Sequence, residues 1–175
     1  MTTARVDYEA LIRDVPDFPK PGIIFKDIMP MLADGPAFKQ SVMDLADQVR
    51  DWKPDLVLGA EARGFMFGAP LAYELGAGFV AARKPGKLPY TTVSAKYALE
   101  YGFDALEVHI DAIQPGQRVL ICDDLLATGG TSRAKIELVE RLRGVVAGMA
   151  FTIELDFLNG REKLAGYDIV SLIHY

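Results

Sequence analysis

Apolar residues along this chain follow two rhythms that alternate from one segment to the next. Phe38, Val42, Leu45, Val49 and Trp52 recur at helical spacing, Gly64 to Leu75 is apolar enough for a helix packed on a sheet, and Thr131 to Arg143 sets Ile136, Val139 and Leu142 on one face. Between them lie apolar runs: Leu56 to Leu58, Phe79 to Ala82, Val119 to Cys122 and the longer Val145 to Leu155. Short uninterrupted runs suit strands buried on both faces, as a central parallel sheet requires. Val6 to Val15 reads as a short amphipathic helix, and the break at Pro16, Pro19, Pro21 and Gly22 leads into an extended Ile23 to Ile28. Pro54 ends the helix that precedes it, and Gly116 marks the turn before the Val119 strand. The alternation predicts an α/β fold, a mostly parallel central sheet with helices on both sides.

The pattern changes between Arg83 and Ile110, a polar, turn-broken excursion carrying Pro85, Gly86, Pro89 and Gly102 with Tyr90, Tyr97 and Tyr101 exposed. A loop of that length inside a compact domain is a functional lid or a surface insertion. Thr91 to Leu99 and Ala105 to Ile110 can pair as a two-stranded flap.

Composition narrows the class. A chain of 175 residues with 50% hydrophobic content is one domain with a sizeable core. No apolar run approaches the roughly 20 residues of a membrane span and the first residues lack a signal-peptide layout, so a soluble, cytoplasmic protein is expected. A net charge of −5 argues against a general nucleic-acid binder. Cys122, the single cysteine, reads as a small core residue rather than a nucleophile, since it sits inside an apolar strand with no His beside it. His109 shares the face of Glu107 in an alternating stretch and reads as solvent-facing; His174 is at the tail, and neither has metal-ligand company.

The densest chemistry lies in Val119 to Ser132, V-L-I-C-D-D-L-L-A-T-G-G-T-S. A buried strand empties into a loop of small residues, Ala127, Thr128, Gly129, Gly130 and Thr131, whose backbone N–H groups can approach a phosphate closely, backed by the N-terminus of the following helix. Asp123 and Asp124 come just before, at the strand end where open α/β sheets bind ligands. Paired carboxylates beside a phosphate repel it unless something intervenes, and a sugar diol does so: one carboxylate per hydroxyl, with the 5-phosphate in the loop. An ordinary capped strand-to-helix turn is the plainer alternative.

This string resembles the phosphoribosyl pyrophosphate (PRPP) motif of the type I phosphoribosyltransferases. Lys20 to Asp27 (K-P-G-I-I-F-K-D), Glu61 to Pro70 (E-A-R-G-F-M-F-G-A-P), Arg83 to Pro89 (R-K-P-G-K-L-P) and Leu99 to Gly102 (L-E-Y-G) are similar to the adenine-specific branch of that family, in order, from about Phe18 to the C-terminus. The resemblance implies a type I phosphoribosyltransferase fold over residues 1–175, with a flexible flap at about 83–110 and a small N-terminal hood at about 1–30. It implies transfer of 5-phosphoribosyl from PRPP to adenine, giving AMP and pyrophosphate in purine salvage, by a homodimer.

Displacing pyrophosphate from an anomeric carbon that moves toward an oxocarbenium ion calls for cations on the leaving group. Arg63, Arg83, Lys84 and Lys87 are the candidates, each at or just beyond a predicted strand end, and in relatives a neighbouring subunit can contribute to this region. Mg²⁺ is expected as cofactor, carried by PRPP and water with no direct protein ligand. The family pattern places adenine against Ile24, Phe25 and Lys26, with Phe25 stacking on the base and the main chain reading its edge, and with Leu126 and Leu158 closing the other face. Lys26 stands where many relatives have Arg. Glu100 on the flap is the acid–base candidate beside Arg63, Tyr101 a residue that steadies the closed lid, and a non-proline cis peptide is expected near Glu61 and Ala62. Another purine base, or a PRPP-sensing regulator of nucleic acid, are the alternatives; the F-K-D and L-E-Y-G strings and the acidic charge weigh against them.

Overall fold

The computed structural model describes residues 6–98 and 103–175. Its centre is a five-stranded sheet built from β3 (Leu56–Ala60), β4 (Gly78–Ala82), β7 (Arg118–Leu126), β8 (Val145–Glu154) and β9 (Ile169–His174), in the order β4-β3-β7-β8-β9 with every pairing parallel. Neighbouring residues of the inner strands point to opposite faces, and each face is covered. Val57, Leu120, Cys122 and Ala150 pack with Leu45, Val49, Phe67 and Leu71 of α2 (Gly35–Val49) and α3 (Arg63–Leu75). On the other face, Leu58 and Val119 pack with Ala134, Leu138 and Val139 of α4 (Gly130–Arg141), while Ile121, Met149 and Phe151 meet its Ile136. The α/β expectation is met, with helices on both sides.

Local chemistry explains most element ends. Asp34 caps α2, accepting from the Ala37 N–H at 3.0 Å, and Pro54 follows a short 3₁₀ turn at Arg50–Trp52 closed by left-handed Lys53. Gly76, at φ +68°, ends α3.

Three expectations need correction, one of them Tyr97, which is half-buried against Asp104 rather than exposed. Val6 to Val15 is not a helix: Glu9–Leu11 is a 3₁₀ turn, and Arg13–Pro16 (β1) pairs antiparallel with Ile24–Asp27 (β2). The cross-strand partners carry opposite charge, Arg13 with Asp27 at 3.2 Å and Lys26 with Asp14 at 2.7 Å, which rewards pairing over helix. The prolines become the hairpin loop, where left-handed Asp17 accepts from the Gly22 N–H at 2.7 Å and Phe18–Pro19 is cis. Tyr8 ties this hairpin region to α2 by donating to Asp44 at 2.6 Å. His109 is half-buried rather than solvent-facing: its Nε2 is shielded without a hydrogen-bond partner among the described residues, and its ring meets Tyr90 edge-on at 5.9 Å.

The excursion after β4 forms the expected hairpin, β5 (Thr92–Ala98) against β6 (Phe103–His109). It is rooted in the body of the protein. Ala95, Leu106 and Val108 are buried with α4, Arg141 donates to the Ser94 carbonyl at 2.5 Å, and Arg83 and Glu107 exchange two backbone hydrogen bonds of 2.9 and 2.7 Å. Its tip, with Glu100 and Tyr101, lies outside the described residues. A short helix α1 (Met29–Ala33) and strand β9 were not legible in the sequence pattern.

Candidate active site

Strand β7 runs on through the acid pair to Leu126, and the chain then turns over Ala127 to Gly129 into α4. Gly129 sits at φ +79° as the cap of α4, so the helix N-terminus faces the small-residue loop. The loop is held by close backbone packing. A Cβ at Gly129 would lie 2.7 Å from the Gly160 carbonyl oxygen, and one at Gly160 would run into the carbonyl oxygen of Ala127. Gly160 follows the Asp156–Leu158 turn, so the loop after β8 buttresses the loop after β7.

Above this edge opens a cavity of about 440 Å³, walled by Ala60 to Arg63, Lys84, Tyr97, Leu106 and the run from Asp123 to Ser132. It gathers the expected Arg63, Lys84, Asp123, Asp124, Leu126, Ala127, Thr128, Gly129, Gly130 and Thr131. Ile24, Phe25, Lys26, Leu158, Arg83 and Lys87 lie outside its walls.

The two acids have different counterions. Asp123 contacts the ammonium of Lys135, a residue of α4 wholly shielded from solvent, and its Oδ1 accepts from the Asp124 N–H at 3.1 Å. Asp124 pairs with Arg63, Nε to Oδ2 at 2.7 Å. Burial, and then the charge of adjacent Asp123, push the Asp124 carboxyl up to about 7, against the pull of Arg63. The repulsion that an acid pair presents to a phosphate is thus offset from two sides.

Arg63 opens α3 directly after Glu61–Ala62, whose peptide is cis as expected. Its guanidinium also lies over Phe25, 4.8 Å from the ring centroid, so it covers a face of the ring expected to stack on the base. Phe18 meets the same ring edge-on at 5.1 Å. Lys26 points elsewhere, with Nζ on Asp14 and 3.7 Å from the Tyr175 ring centroid. Ile24 and Leu158 are exposed, and Leu126 is buried.

Glu61 organises the segment after β4. It accepts from both Arg83 Nε and Nη2, at 3.3 and 2.9 Å, and from the Lys84 N–H at 2.6 Å. The Lys84 N–H first, and Arg83 next, hold its carboxyl below the usual range. Arg83 also donates to the Lys87 carbonyl at 3.1 Å, while Lys84 Nζ reaches Asp104 on β6 at 2.8 Å. Tyr97 donates to the same Asp104 at 3.2 Å, and burial followed by the Asp104 charge pushes its phenol up to about 12.

Sequence reasoning missed Lys135, Glu61 and Asp104. For Lys135 a signal existed: Ser132, Lys135, Leu138 and Val139 share the apolar period of α4, and a lysine there is out of pattern. Burial pushes the Cys122 thiol up, in keeping with a core role. His174, expected without metal-ligand company, has it: Glu154, Asp156 and His174 bring their oxygens and ring nitrogen within 4.8 Å of one another near the buttressing loop. Glu154 is already taken there, by Arg161 at 2.6 and 2.7 Å and the Ser171 hydroxyl at 2.6 Å; these outweigh its burial and hold the carboxyl low.

A small-residue loop, an acid pair and strand-end cations around one cavity at the edge of this sheet match a type I phosphoribosyltransferase. A family model described as the phosphoribosyl transferase domain matches residues 30–169. The adenine phosphoribosyltransferase of Desulfitobacterium hafniense is 59% identical over 170 residues, covering 97% of this chain and 98% of that one. A crystal structure of adenine phosphoribosyltransferase from Thermoanaerobacter pseudethanolicus superposes with a TM-score of 0.95 at 58% identity, covering 97% and 98%. That of the Saccharomyces cerevisiae enzyme, complexed with an imino-altritol bisphosphate and adenine, has a TM-score of 0.89 at 39% identity over 95% and 96%. The chain belongs to the adenine phosphoribosyltransferase family.

Proposed function

We propose that this chain transfers the 5-phosphoribosyl group of PRPP to adenine, releasing pyrophosphate and forming AMP, in purine salvage. One observation carries the reading: the acid pair, the phosphate loop, Arg63 and Lys84 share a single cavity. The backbone of Ala127 to Thr131 holds the 5-phosphate, and Asp123 and Asp124 accept from the ribose hydroxyls. The bond from the anomeric carbon to the pyrophosphate oxygen breaks, its electron pair leaving with pyrophosphate, as the adenine N9 bond forms on the opposite face with inversion, and the N9 proton passes to water. Arg63 and Lys84 take the charge that develops on the departing pyrophosphate, with Arg83 and Lys87 flanking them.

Mg²⁺ enters with PRPP as part of the substrate. The donor set suits this: Lys135 and Arg63 already compensate the two carboxylates, so the cavity has no cluster of free oxygens among its described residues to cage an ion. The ion supplies charge neutralisation on the pyrophosphate, held by phosphate oxygens and water.

Adenine lies toward β2, where the main chain of Ile24, Phe25 and Lys26 reads its edge and Leu126 and Leu158 close the far side. Arg63 leaves Phe25 for the pyrophosphate, freeing the ring to stack. Hairpin β1–β2 belongs to a hood of about residues 1–30, and β5–β6 to a flap of about 83–110 that excludes water and brings Glu100 to a ring nitrogen, steadied by Tyr101. The protein works as a cytoplasmic homodimer. Among the described residues no helix is long and apolar enough to cross a membrane.

The test is incubation of the purified protein with PRPP, Mg²⁺ and each purine base separately. AMP from adenine alone is expected. Turnover with another base instead overturns the base pocket and keeps the sugar-phosphate assignment; no turnover with any overturns the enzyme. Replacing Glu100 by Gln is expected to lower turnover, and unchanged turnover and adenine affinity remove it from the acid–base role.

A further inference from the structure

Lys135 enters the reading above only as a counterion of Asp123, and its position is unusual for a lysine. It lies on the second turn of α4 between buried Ala134 and Ile136, with its side chain entirely inside the protein. Burying an ammonium is expensive unless it is paired, and a cation in the first turns of a helix works against the helix dipole. Geometry nevertheless carries it to one place. Helical side chains lean back toward the N-terminus, and from position 135 that direction leads to the end of β7, where the ammonium contacts Asp123 Oδ2 beneath the cavity.

Asp123 is thereby held on every side. Lys135 takes Oδ2, Oδ1 accepts from the Asp124 N–H, and behind Oδ1 lies Gly64, where a Cβ would come within 2.6 Å of that oxygen. The counterion of Asp124 is of another kind. Arg63 is 34% exposed and lies at the cavity wall, free to exchange Asp124 for a pyrophosphate oxygen, whereas Lys135, at 0%, stays.

We propose that Lys135 is a positioning residue for phosphoribosyl transfer, acting through Asp123: it fixes that carboxylate as an oriented acceptor for a ribose hydroxyl and remains as the resident counterion of the acid pair when Arg63 moves to the pyrophosphate. The inference rests on the ribose role of Asp123. It assigns to this chain a buried cation under the sugar that acts on PRPP and not on the base.

The experiment compares full-length wild type, Lys135→Met, Asp123→Asn and the double variant, with KM for PRPP and for adenine measured separately and a thermal melt on each. Lys135→Met keeps the length of the side chain and removes its charge. Its KM for PRPP is expected to rise about tenfold or more while KM for adenine moves less than about threefold. In the Asp123→Asn background the second substitution is expected to be silent, because its target is gone. The double variant contains no unpaired buried charge, whereas Asp123→Asn leaves the Lys135 ammonium facing a neutral amide, so the thermal melts of both are read before their KM values are compared. A PRPP KM within about twofold of wild type, equal rises for both substrates, or a further loss of more than about threefold in the Asp123→Asn background overturns the proposal. Inactive wild type refutes the enzyme reading instead, and active wild type with an indifferent Lys135→Met refutes only the role of Lys135.

Discussion

Arg63 Nε lies 2.7 Å from Asp124 Oδ2, and this contact joins the start of α3 to the end of β7 across the mouth of the cavity. Its electrostatic consequence can be measured. Asp124 is raised from an ordinary 3.8 to about 7, so the folded protein binds more protons than the unfolded chain between those values. Stability contributed by this group therefore falls as pH rises through that window and is level above it. Urea melts from pH 4 to 8 on Asp124→Asn are expected to lack this fall. A carboxyl ¹³C titration of the ligand-free protein is expected to find the midpoint near the raised value, moved higher still in Arg63→Ala; a midpoint near that of a free aspartate refutes the assignment.

Glu61 is expected to act through what it holds. Glu61→Gln loses the ion pair to Arg83 and weakens the acceptor for the Lys84 N–H, so the strand-end cations lose their frame. KM for PRPP is expected to rise about three- to tenfold, with a stability cost of about 1 kcal/mol for this partly exposed pair. Since the folded carboxyl is held low, its stabilisation is present above the ordinary 4.5 and lost as pH falls through the folded value. Denaturation of Glu61→Gln is thus expected to converge with wild type in acid. A difference that widens in acid counts against the ion pair.

The Lys26 ammonium is engaged with Asp14 and the Tyr175 ring, which leaves only its main chain for the adenine role proposed above. Lys26→Met is expected to keep kcat/KM for adenine within about twofold and to lower stability by about 0.5–1 kcal/mol. A large loss in adenine kinetics at unchanged stability would place the side chain on the base.

Gly160→Ala drives a methyl group into the Ala127 carbonyl, a backbone group that cannot swing away, and against the buried Leu126 side chain at 3.0 Å. A cost of about 1–3 kcal/mol is expected in chemical denaturation, together with weaker PRPP binding by calorimetry. Gly35→Ala is the control: a Cβ there meets nothing within 4 Å, and it is expected to be neutral.

The sheet and the ligand edge were legible because buried strands and helix faces write themselves into consecutive residues. Val119 to Cys122 and the period of Ile136, Val139 and Leu142 gave β7 and α4, and the acid pair between them needed no tertiary information. What stayed hidden depends on partners far along the chain. Lys135 meets Asp123 12 positions away, Lys84 meets Asp104 at 20 and Arg83 meets Glu61 at 22. Val6 to Val15 failed for the same reason: its apolar spacing fits a helix, and only pairing with Ile24–Asp27 decides for a strand. At β9 Ser171 and His174 interrupt the apolar run, so the edge strand does not stand out.

The glycine contact between residues 129 and 160 also bears on how this protein can change. The segment proposed on the base side and the one proposed to seat the sugar phosphate touch first through main chain, at the Gly160 and Ala127 carbonyl oxygens. An insertion or deletion in either is expected to displace the other. New base preferences, in evolution or by design, are therefore confined to side-chain exchanges within a frame of fixed length, at positions such as Phe157 and Leu158 that stand exposed beside it.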